Sequence, residues 1–172
     1  MELPVRKHVR LKEYDYSRNG GYFVTVCTKD RRNILSDVVG RGLAPAEIRL
    51  TDCGQLVEKE LFALSVRYGF VRVEKYVIMP NHVHVLLMFG SGTAGASPRP
   101  TLMQVIGTFK SLSTRRWNEK AGTGGEKLWQ SGYHEHIIRD DNNFLLHWQY
   151  IDQNPARWGE DEYYAENAGG AP

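Results

Sequence analysis

Residues 70–89 read FVRVEKYVIMPNHVHVLLMF. Two runs rich in β-branched and aromatic residues lie on either side of Pro80 and Asn81, a pair that breaks the first run and favours a tight turn. The sequence therefore predicts an antiparallel hairpin with strands over 70–79 and 82–89. Because side chains alternate along a strand, His82 and His84 would share one face of the second strand, and apolar neighbours such as Val83 would share the other.

A first strand and two amphipathic helices are predicted around this hairpin. Residues 21–28 are β-branched and aromatic, which favours a strand. Asp52 with Gln55 resembles a capping box, and so does Thr101 with Gln104, each at the start of an apolar pattern with helical period. Helices are therefore predicted over 52–69 and from 101 to about 118.

The C-terminal part predicts a fourth strand and a last helix. Residues 133–139 are strand-like, and Asp140 or Asp141 could cap a helix that ends near Asn154, because Pro155 follows. The order is then β-α-β-β-α-β followed by a helix. This order is typical of an α+β, ferredoxin-like fold, in which two helices cover one face of an antiparallel sheet and the other face is free for a site.

The composition is that of one globular domain. The chain has 172 residues, of which 41% are hydrophobic and 24% charged, so we expect a single domain over 1–172, with a core over about 10–158 and an acidic tail over 159–172. No apolar run approaches the roughly 20 residues that span a bilayer, and the first residues carry no signal-peptide core. Cys27 and Cys53 form neither a disulfide framework nor a metal spacing, which favours a cytoplasmic protein with two core thiols.

Basic residues occur in clusters although the net charge is only +2. Such clusters are compatible with nucleic-acid binding, and scattered solvated charge is an equally good interpretation of the pattern alone. If DNA is bound, we expect these residues to flank the site and contact phosphates, so that affinity falls with salt. The candidate DNA-binding residues are Arg10, Lys12, Lys110, Arg115 and Arg116.

The His-Val-His sequence at the start of the second hairpin strand is a candidate metal site. Residues two apart on a strand have Cα atoms about 6.5–7 Å apart, a separation from which the imidazoles of His82 and His84 can converge on one ion. A pair of surface histidines is the plainer alternative. Two imidazoles together with a side-chain amide such as that of Asn154 would suit Zn²⁺ or Mn²⁺, whereas Mg²⁺ prefers oxygen ligands.

The last predicted helix carries a polar stripe beside an apolar one. From periodicity alone, Tyr150 could be an ordinary amphipathic tyrosine and Asn154 a simple C-terminal cap. We expect the apolar stripe to pack and the polar stripe to face a site. The polar stripe consists of Asn143, His147, Tyr150 and Asn154, and the apolar stripe of Phe144, Leu145, Trp148 and Ile151.

Together these groups form a coherent set for metal-assisted phosphoryl transfer. They supply a nucleophilic phenol, a carboxamide oxygen and two imidazoles. A phenol with a pKa of about 10 is a poor nucleophile at neutral pH, so a metal is needed to polarise the phosphate. The sequence contains no P-loop, HExxH or paired-carboxylate motif that would compete for the assignment.

Seven segments of the chain resemble the single-tyrosine transposases with a His-hydrophobic-His metal motif, especially the REP-associated branch. In order along the chain they are RLKEYDY (10–16), YFVTVCT (22–28), MPNHVH (79–84), FKS (109–111), WQ (129–130), YHEHIIR (133–139) and YIDQNP (150–155). The resemblance implies a ferredoxin-like endonuclease domain that binds structured single-stranded DNA, often a hairpin. The sequence leaves both a monomer and a homodimer open. The resemblance further implies cleavage through a covalent 5′-phosphotyrosine that leaves a free 3′-OH, followed by rejoining to another strand.

The resemblance also implies a role for individual residues. His82 and His84 would be metal ligands for Mg²⁺ or Mn²⁺, Tyr150 the nucleophile, and Asn154 the residue that completes the metal site. Many relatives have Gln at this last position, and Asn154 is shorter. His147 and His136 are candidate accessory residues.

Two rival functions remain open from the sequence. A ferredoxin-like sheet is also the scaffold of common RNA-recognition domains, so the chain could be a nucleic-acid-binding module without catalysis, although their usual aromatic signature is not evident here. A metal-dependent hydrolase of small phosphoesters would turn over without a covalent adduct and without Tyr150. A denaturation-resistant protein–DNA adduct would separate these functions from that of a transposase.

Overall fold

A four-stranded antiparallel sheet organises the molecule. The computed structural model describes residues 20–40, 45–91 and 99–165. Its strands are β1 (Gly20–Cys27), β2 (Ser36–Val39), β3 (Glu47–Leu50), β4 (Val71–Ile78), β5 (His82–Phe89) and β6 (His134–Ile138). Its helices are α1 (Asp52–Arg67), α2 (Leu102–Ala121) and α3 (Asp141–Gln153).

The topology confirms the ferredoxin-like prediction. β4 and β5 form the antiparallel hairpin that residues 70–89 predict, and β1 lies between β5 and β6, antiparallel to both. In the β1–β5 register Thr25 is opposite His84, and Cys27 is opposite His82. This register brings polar side chains of β1 to the histidine pair.

Helices α1 and α2 cover one face of the sheet. Apolar side chains of β5, including Val83, Val85 and Leu87, are buried there with Tyr22 and Val24 of β1 and with apolar residues of both helices. This face is the main core, as the alternation along β5 predicts. Cys27 and Cys53 are buried free thiols, as expected.

Helix α3 packs on the opposite face, which carries the histidines. Ile151, with Trp148 and Phe144, lies in a second apolar cluster against Leu86 of β5 and apolar residues of β4. The predicted apolar stripe is wrong at one position, because Leu145 is 52% exposed. The face that the sequence left free is therefore partly covered by the helix that carries Tyr150.

The helix ends depend on local hydrogen bonds. The prediction that Asp52 caps α1 is wrong by one residue: the extended Thr51 accepts a hydrogen bond from Gly54 N, and its hydroxyl also contacts the Ile34 carbonyl oxygen. The Thr101–Gln104 capping box is present in α2. That helix continues to Ala121, beyond the expected end, and stops where Gly122 adopts a positive φ of 68°.

The two-stranded sheet of β2 and β3 was not predicted from the sequence. Each strand has only four residues, too few for a clear alternation.

Asp140 caps α3 by accepting a hydrogen bond from Asn143 N, in agreement with one of the two predicted caps. Within the described ranges, no helix is both long enough and apolar enough to cross a bilayer.

Candidate active site

The two histidines of β5 lie side by side in a buried position. His82 and His84 are 0% and 1% exposed, so the alternative of two surface histidines is excluded. Their ring centroids are 4.4 Å apart, and their Nε2 atoms approach to 3.0 Å. Two ligands at right angles around one ion at about 2.1 Å are themselves about 3.0 Å apart, so this spacing suits a shared metal.

Hydrogen bonds at the outer nitrogens fix the orientation of both rings. His82 Nδ1 lies 2.9 Å from Asn81 Oδ1, which can only accept, so this nitrogen carries the proton. His84 Nδ1 lies 2.8 Å from the Thr25 hydroxyl, which can also accept. This pattern is typical of metal-ligating histidines, because it leaves the Nε2 lone pairs free for an ion.

Burial keeps both imidazoles neutral near pH 7. It lowers the pKa of His82 to about 3. Burial also lowers the pKa of His84 well below its usual value, and the neighbouring His82 and His147 rings lower it further. Neutral imidazoles can bind a metal ion without first losing a proton.

A carboxylate that the sequence analysis did not single out completes this cluster. Asp161 follows α3, and its side chain is 1% exposed with Oδ2 at 4.0 Å from His82 Nε2. One ligand atom each from His82, His84 and Asp161 lie within 4.8 Å of one another. The predicted tail thus places an acidic oxygen beside both imidazoles.

Asn154 connects this carboxylate to α3. Its Nδ2 donates a hydrogen bond of 2.7 Å to Asp161 Oδ2. Its Oδ1 is buried and has no described hydrogen-bond donor at normal geometry, while the Asn154 side chain lies near enough to His82 to raise the pKa of that imidazole against the effect of burial. A buried carbonyl oxygen without a donor is costly unless a cation or water satisfies it. The residues present therefore fit a divalent metal bound by two imidazoles and one or two oxygens.

Tyr150 lies directly beside the histidine pair. Its ring centroid is 5.2 Å from that of His84, and the residue is 41% exposed, so the phenol is close to the cluster and accessible from outside. Burial raises the pKa of the Tyr150 hydroxyl, and the charges of Asp161 and Glu162 raise it further. The phenol is therefore protonated at neutral pH, and positive charge nearby is needed to make it a nucleophile.

The two candidate accessory histidines belong to a series of rings that leads away from this site. His84 stacks on Phe23 at 5.2 Å, Phe23 contacts His147 at 4.6 Å, and His147 stacks on His136 at 4.7 Å. Tyr150 meets Phe23 edge-on at 5.8 Å. The structure thus brings His147, Tyr150 and Asn154 of the predicted polar stripe to the face of the sheet that carries the histidine pair. The fourth member, Asn143, reaches it through a hydrogen bond to His136 of β6.

The described basic residues that were predicted to bind DNA lie on a helix of the main core. Lys110, Arg115 and Arg116 belong to α2, which packs on the face of the sheet opposite the histidine pair. Lys110 Nζ donates to the carbonyl oxygens of residues 130, 131 and 132. Arg116 pairs with the buried Glu60.

DNA contact by these three residues stays a prediction, although each has an intramolecular partner. Arg115 pairs with Glu119 at 3.0 Å on an exposed helix surface, which adds little stability. Arg10 and Lys12, the other two predicted residues, lie outside the residues that the structure describes.

Three site residues escaped the sequence analysis. Asn81 was recognised only as a turn residue, yet it is buried and its Nδ2 donates to the Tyr163 carbonyl oxygen at 2.7 Å, while its Oδ1 holds His82. Thr25 orients His84 across the strand pair, which the strand alternation alone could not indicate. No sequence signal distinguishes Asp161 from its acidic neighbours.

Known proteins resemble this chain over most of its length. Residues 17–154 match the family described as "Transposase IS200 like". An uncharacterised protein of Haemophilus influenzae is 28% identical over 94% of this chain and 94% of its own length. A second protein of that organism, provisionally named a REP-associated tyrosine transposase, is 26% identical over 84% of this chain and 75% of its own.

A solved structure has the same fold. It is a REP-associated tyrosine transposase bound to a REP hairpin, with a TM-score of 0.55 and 20% identity over 94% of this chain and 77% of that one. At this identity the likeness supports the shared fold.

Proposed function

The chain belongs to the IS200-like transposases, and from this membership we propose that it is a metal-dependent single-stranded DNA endonuclease and strand transferase. Its substrate would be hairpin or palindromic DNA, and its intermediate a 5′-phosphotyrosine on Tyr150. This is the chemistry of DNA transposition or of REP-element processing.

One observation carries the proposal. The Tyr150 ring lies 5.2 Å from the ring of His84, and the His82–His84 pair shares a possible metal site with Asp161. A phenol beside a cation site is the combination that a tyrosine nucleophile needs, because its own pKa is raised in this environment.

Each side chain has a defined task in the proposed reaction. The phenolic oxygen of Tyr150 loses its proton to water and bonds to phosphorus, while the bond from phosphorus to the 3′ oxygen breaks and that oxygen takes up a proton from water. His82, His84 and Asp161, with the free Oδ1 of Asn154, would hold the ion. A divalent metal bound there, Mg²⁺ or Mn²⁺, would supply positive charge to polarise the phosphate. Asn81 and Thr25 keep the two imidazoles in orientation.

Hairpin DNA is proposed as the substrate because a relative of the same fold is bound to a REP hairpin. The half-exposed Tyr150 can be reached from outside by an unpaired strand.

Cleavage of labelled hairpin DNA tests the proposal. The wild-type protein should cut the single-stranded flank with added Mn²⁺ or Mg²⁺, leave a 3′-OH, and lose activity in a chelator. Replacing both His82 and His84 by Ala should abolish metal-dependent cleavage while the fold persists, because the main core uses the opposite face of the sheet. Cleavage by the double variant at near wild-type rate would refute the metal assignment.

A further inference from the structure

A cavity of about 490 Å³ opens beside Tyr150. His84 and Thr25 line the part of it next to the metal cluster, and the ring series lines much of the rest. Its size is in the range that binds small organic groups. Much of its lining is flat ring surface, contributed by Phe23, His136, His147 and Tyr150, with the exposed Leu146 at the rim. None of these rings except Tyr150 has a task in the proposed cleavage step.

The imidazoles of this cavity are held in place before any ligand arrives. His147 Nδ1 donates to the Asn143 backbone carbonyl oxygen at 2.8 Å, and His136 Nε2 donates to the Asn143 side-chain oxygen at 3.0 Å. One residue of α3 therefore fixes both stacked rings. A ring that is already ordered loses little side-chain entropy when a ligand stacks on it.

The charged residues of the cavity indicate what kind of group would enter. Glu135 and Glu162 also line it. Two carboxylates disfavour a second phosphate beyond the one that Tyr150 attacks, but carboxylates can accept hydrogen bonds from the amino or imino groups of a neutral base. Ring surface together with carboxylate acceptors is complementary to an unpaired nucleobase.

We propose that this cavity binds one unpaired nucleobase, from a nucleotide next to the phosphate that Tyr150 attacks. The inference rests on the proposed function, since it takes single-stranded DNA as the ligand. Binding of the base would position the strand across Tyr150, and base stacking on side-chain rings is a common means of holding single strands. Phe23 and His147 are thus positioning residues, and Asn143 positions the rings themselves.

A binding experiment with abasic DNA tests the base pocket without requiring cleavage. A hairpin with single-stranded flanks is first selected from a randomised pool by its affinity for the wild-type protein. Its flanks are then scanned with single abasic sites, and affinity is measured by fluorescence anisotropy in the absence of metal. One abasic position should weaken binding by about tenfold, the magnitude of one lost base stack.

Variants assign that position to the cavity. His147→Ala should weaken binding of the intact hairpin by a similar factor, and the abasic site should then have little further effect. Asn143→Ala should show a smaller version of the same behaviour. Leu145→Ala, an exposed change on the same helix outside the cavity, is the matched control and should behave as wild type. Thermal unfolding checks that the variants are folded.

Two results would overturn the inference. In one, no abasic position weakens binding by wild-type protein. In the other, the effects of the abasic site and of His147→Ala multiply, which means that the base is bound elsewhere. Cleavage of the same hairpin is measured in a separate assay with metal. If the protein binds the hairpin in a base-dependent way but never cuts it, the proposed function is refuted while the proposal of a base-binding cavity still holds.

Discussion

Replacing Asp161 by Asn tests whether the carboxylate next to α3 is part of the metal site. The substitution keeps the size of the side chain and one acceptor oxygen, but it removes a negative charge 4.0 Å from His82 Nε2. Losing even an outer partner of a metal site typically weakens affinity by about 10–100-fold. We therefore expect the dissociation constant for Mn²⁺ to rise at least tenfold.

Metal-induced stabilisation converts this factor into a measurable shift. At a Mn²⁺ concentration of about 100 times the wild-type dissociation constant, binding stabilises the folded state by about 2.7 kcal/mol. A tenfold weaker variant would gain about 1.4 kcal/mol at the same concentration. For a domain of this size, 1 kcal/mol shifts the melting temperature by about 2–4 °C, so the metal-induced shift should fall to about half.

Thermal unfolding with and without Mn²⁺, together with direct titration of Mn²⁺, measures this effect. Glu160→Gln is the matched control, because it removes the same charge one residue earlier from an exposed position outside the histidine cluster. Asp161 also accepts hydrogen bonds from Asn154 Nδ2 and Tyr163 N, so the metal-free variant can lose some stability. Equal metal-induced shifts in wild type and Asp161→Asn would refute the assignment of Asp161 as a ligand.

Three further predictions concern the stability of the fold. First, burial holds the pKa of His82 and His84 below the unfolded value of about 6.5, so the unfolded chain binds more protons below that pH. The metal-free protein should therefore lose about 1.4 kcal/mol of stability per histidine by about pH 5.5. Denaturant titrations across pH should show this loss in wild type and a smaller one in the variant with both histidines replaced by Ala. Second, Arg116→Ala should lower the free energy of unfolding by about 1–3 kcal/mol, because it removes a partner of the buried Glu60. An unchanged chemical denaturation curve would contradict this role. The salt dependence of hairpin affinity in the same variant tests whether Arg116 contacts phosphate. Third, Gly54→Ala should lower the free energy of unfolding by about 1–3 kcal/mol, because the added Cβ would overlap the carbonyl oxygen of Leu35. A melting temperature equal to that of wild type would show that the backbone shifts easily there.

The main sheet and its helices could be predicted from the sequence because their signals are local. The Pro80–Asn81 break, the alternation along β5 and the Thr101–Gln104 box each determine structure within a few residues. The cap at Thr51 depends on the backbone carbonyls of Ile34 and Leu35, which are distant in sequence. The short strands β2 and β3 depend on each other. Such contacts leave no periodic signal.

The candidate site was predictable only where it follows secondary-structure geometry. The i, i+2 spacing of His82 and His84, and the i, i+4 spacing of Tyr150 and Asn154, place those pairs without knowledge of the tertiary fold. Asp161 reaches the cluster because the chain turns back after α3, and this path depends on packing. The sequence therefore indicated two imidazoles, a phenol and an amide, but not the carboxylate beside them.

The most direct test of the proposed mechanism removes a single oxygen atom. Tyr150→Phe keeps the ring that packs against His84 and Phe23, so folding and hairpin binding should be nearly unchanged. Tyr163→Phe is the matched control, since its ring also lies beside the histidine pair, 4.7 Å from His82. Labelled hairpin DNA is incubated with metal and each protein, and the products are separated under denaturing conditions. We predict a covalent protein–DNA adduct with wild type and Tyr163→Phe and none with Tyr150→Phe, whereas an undiminished adduct in Tyr150→Phe would contradict the account.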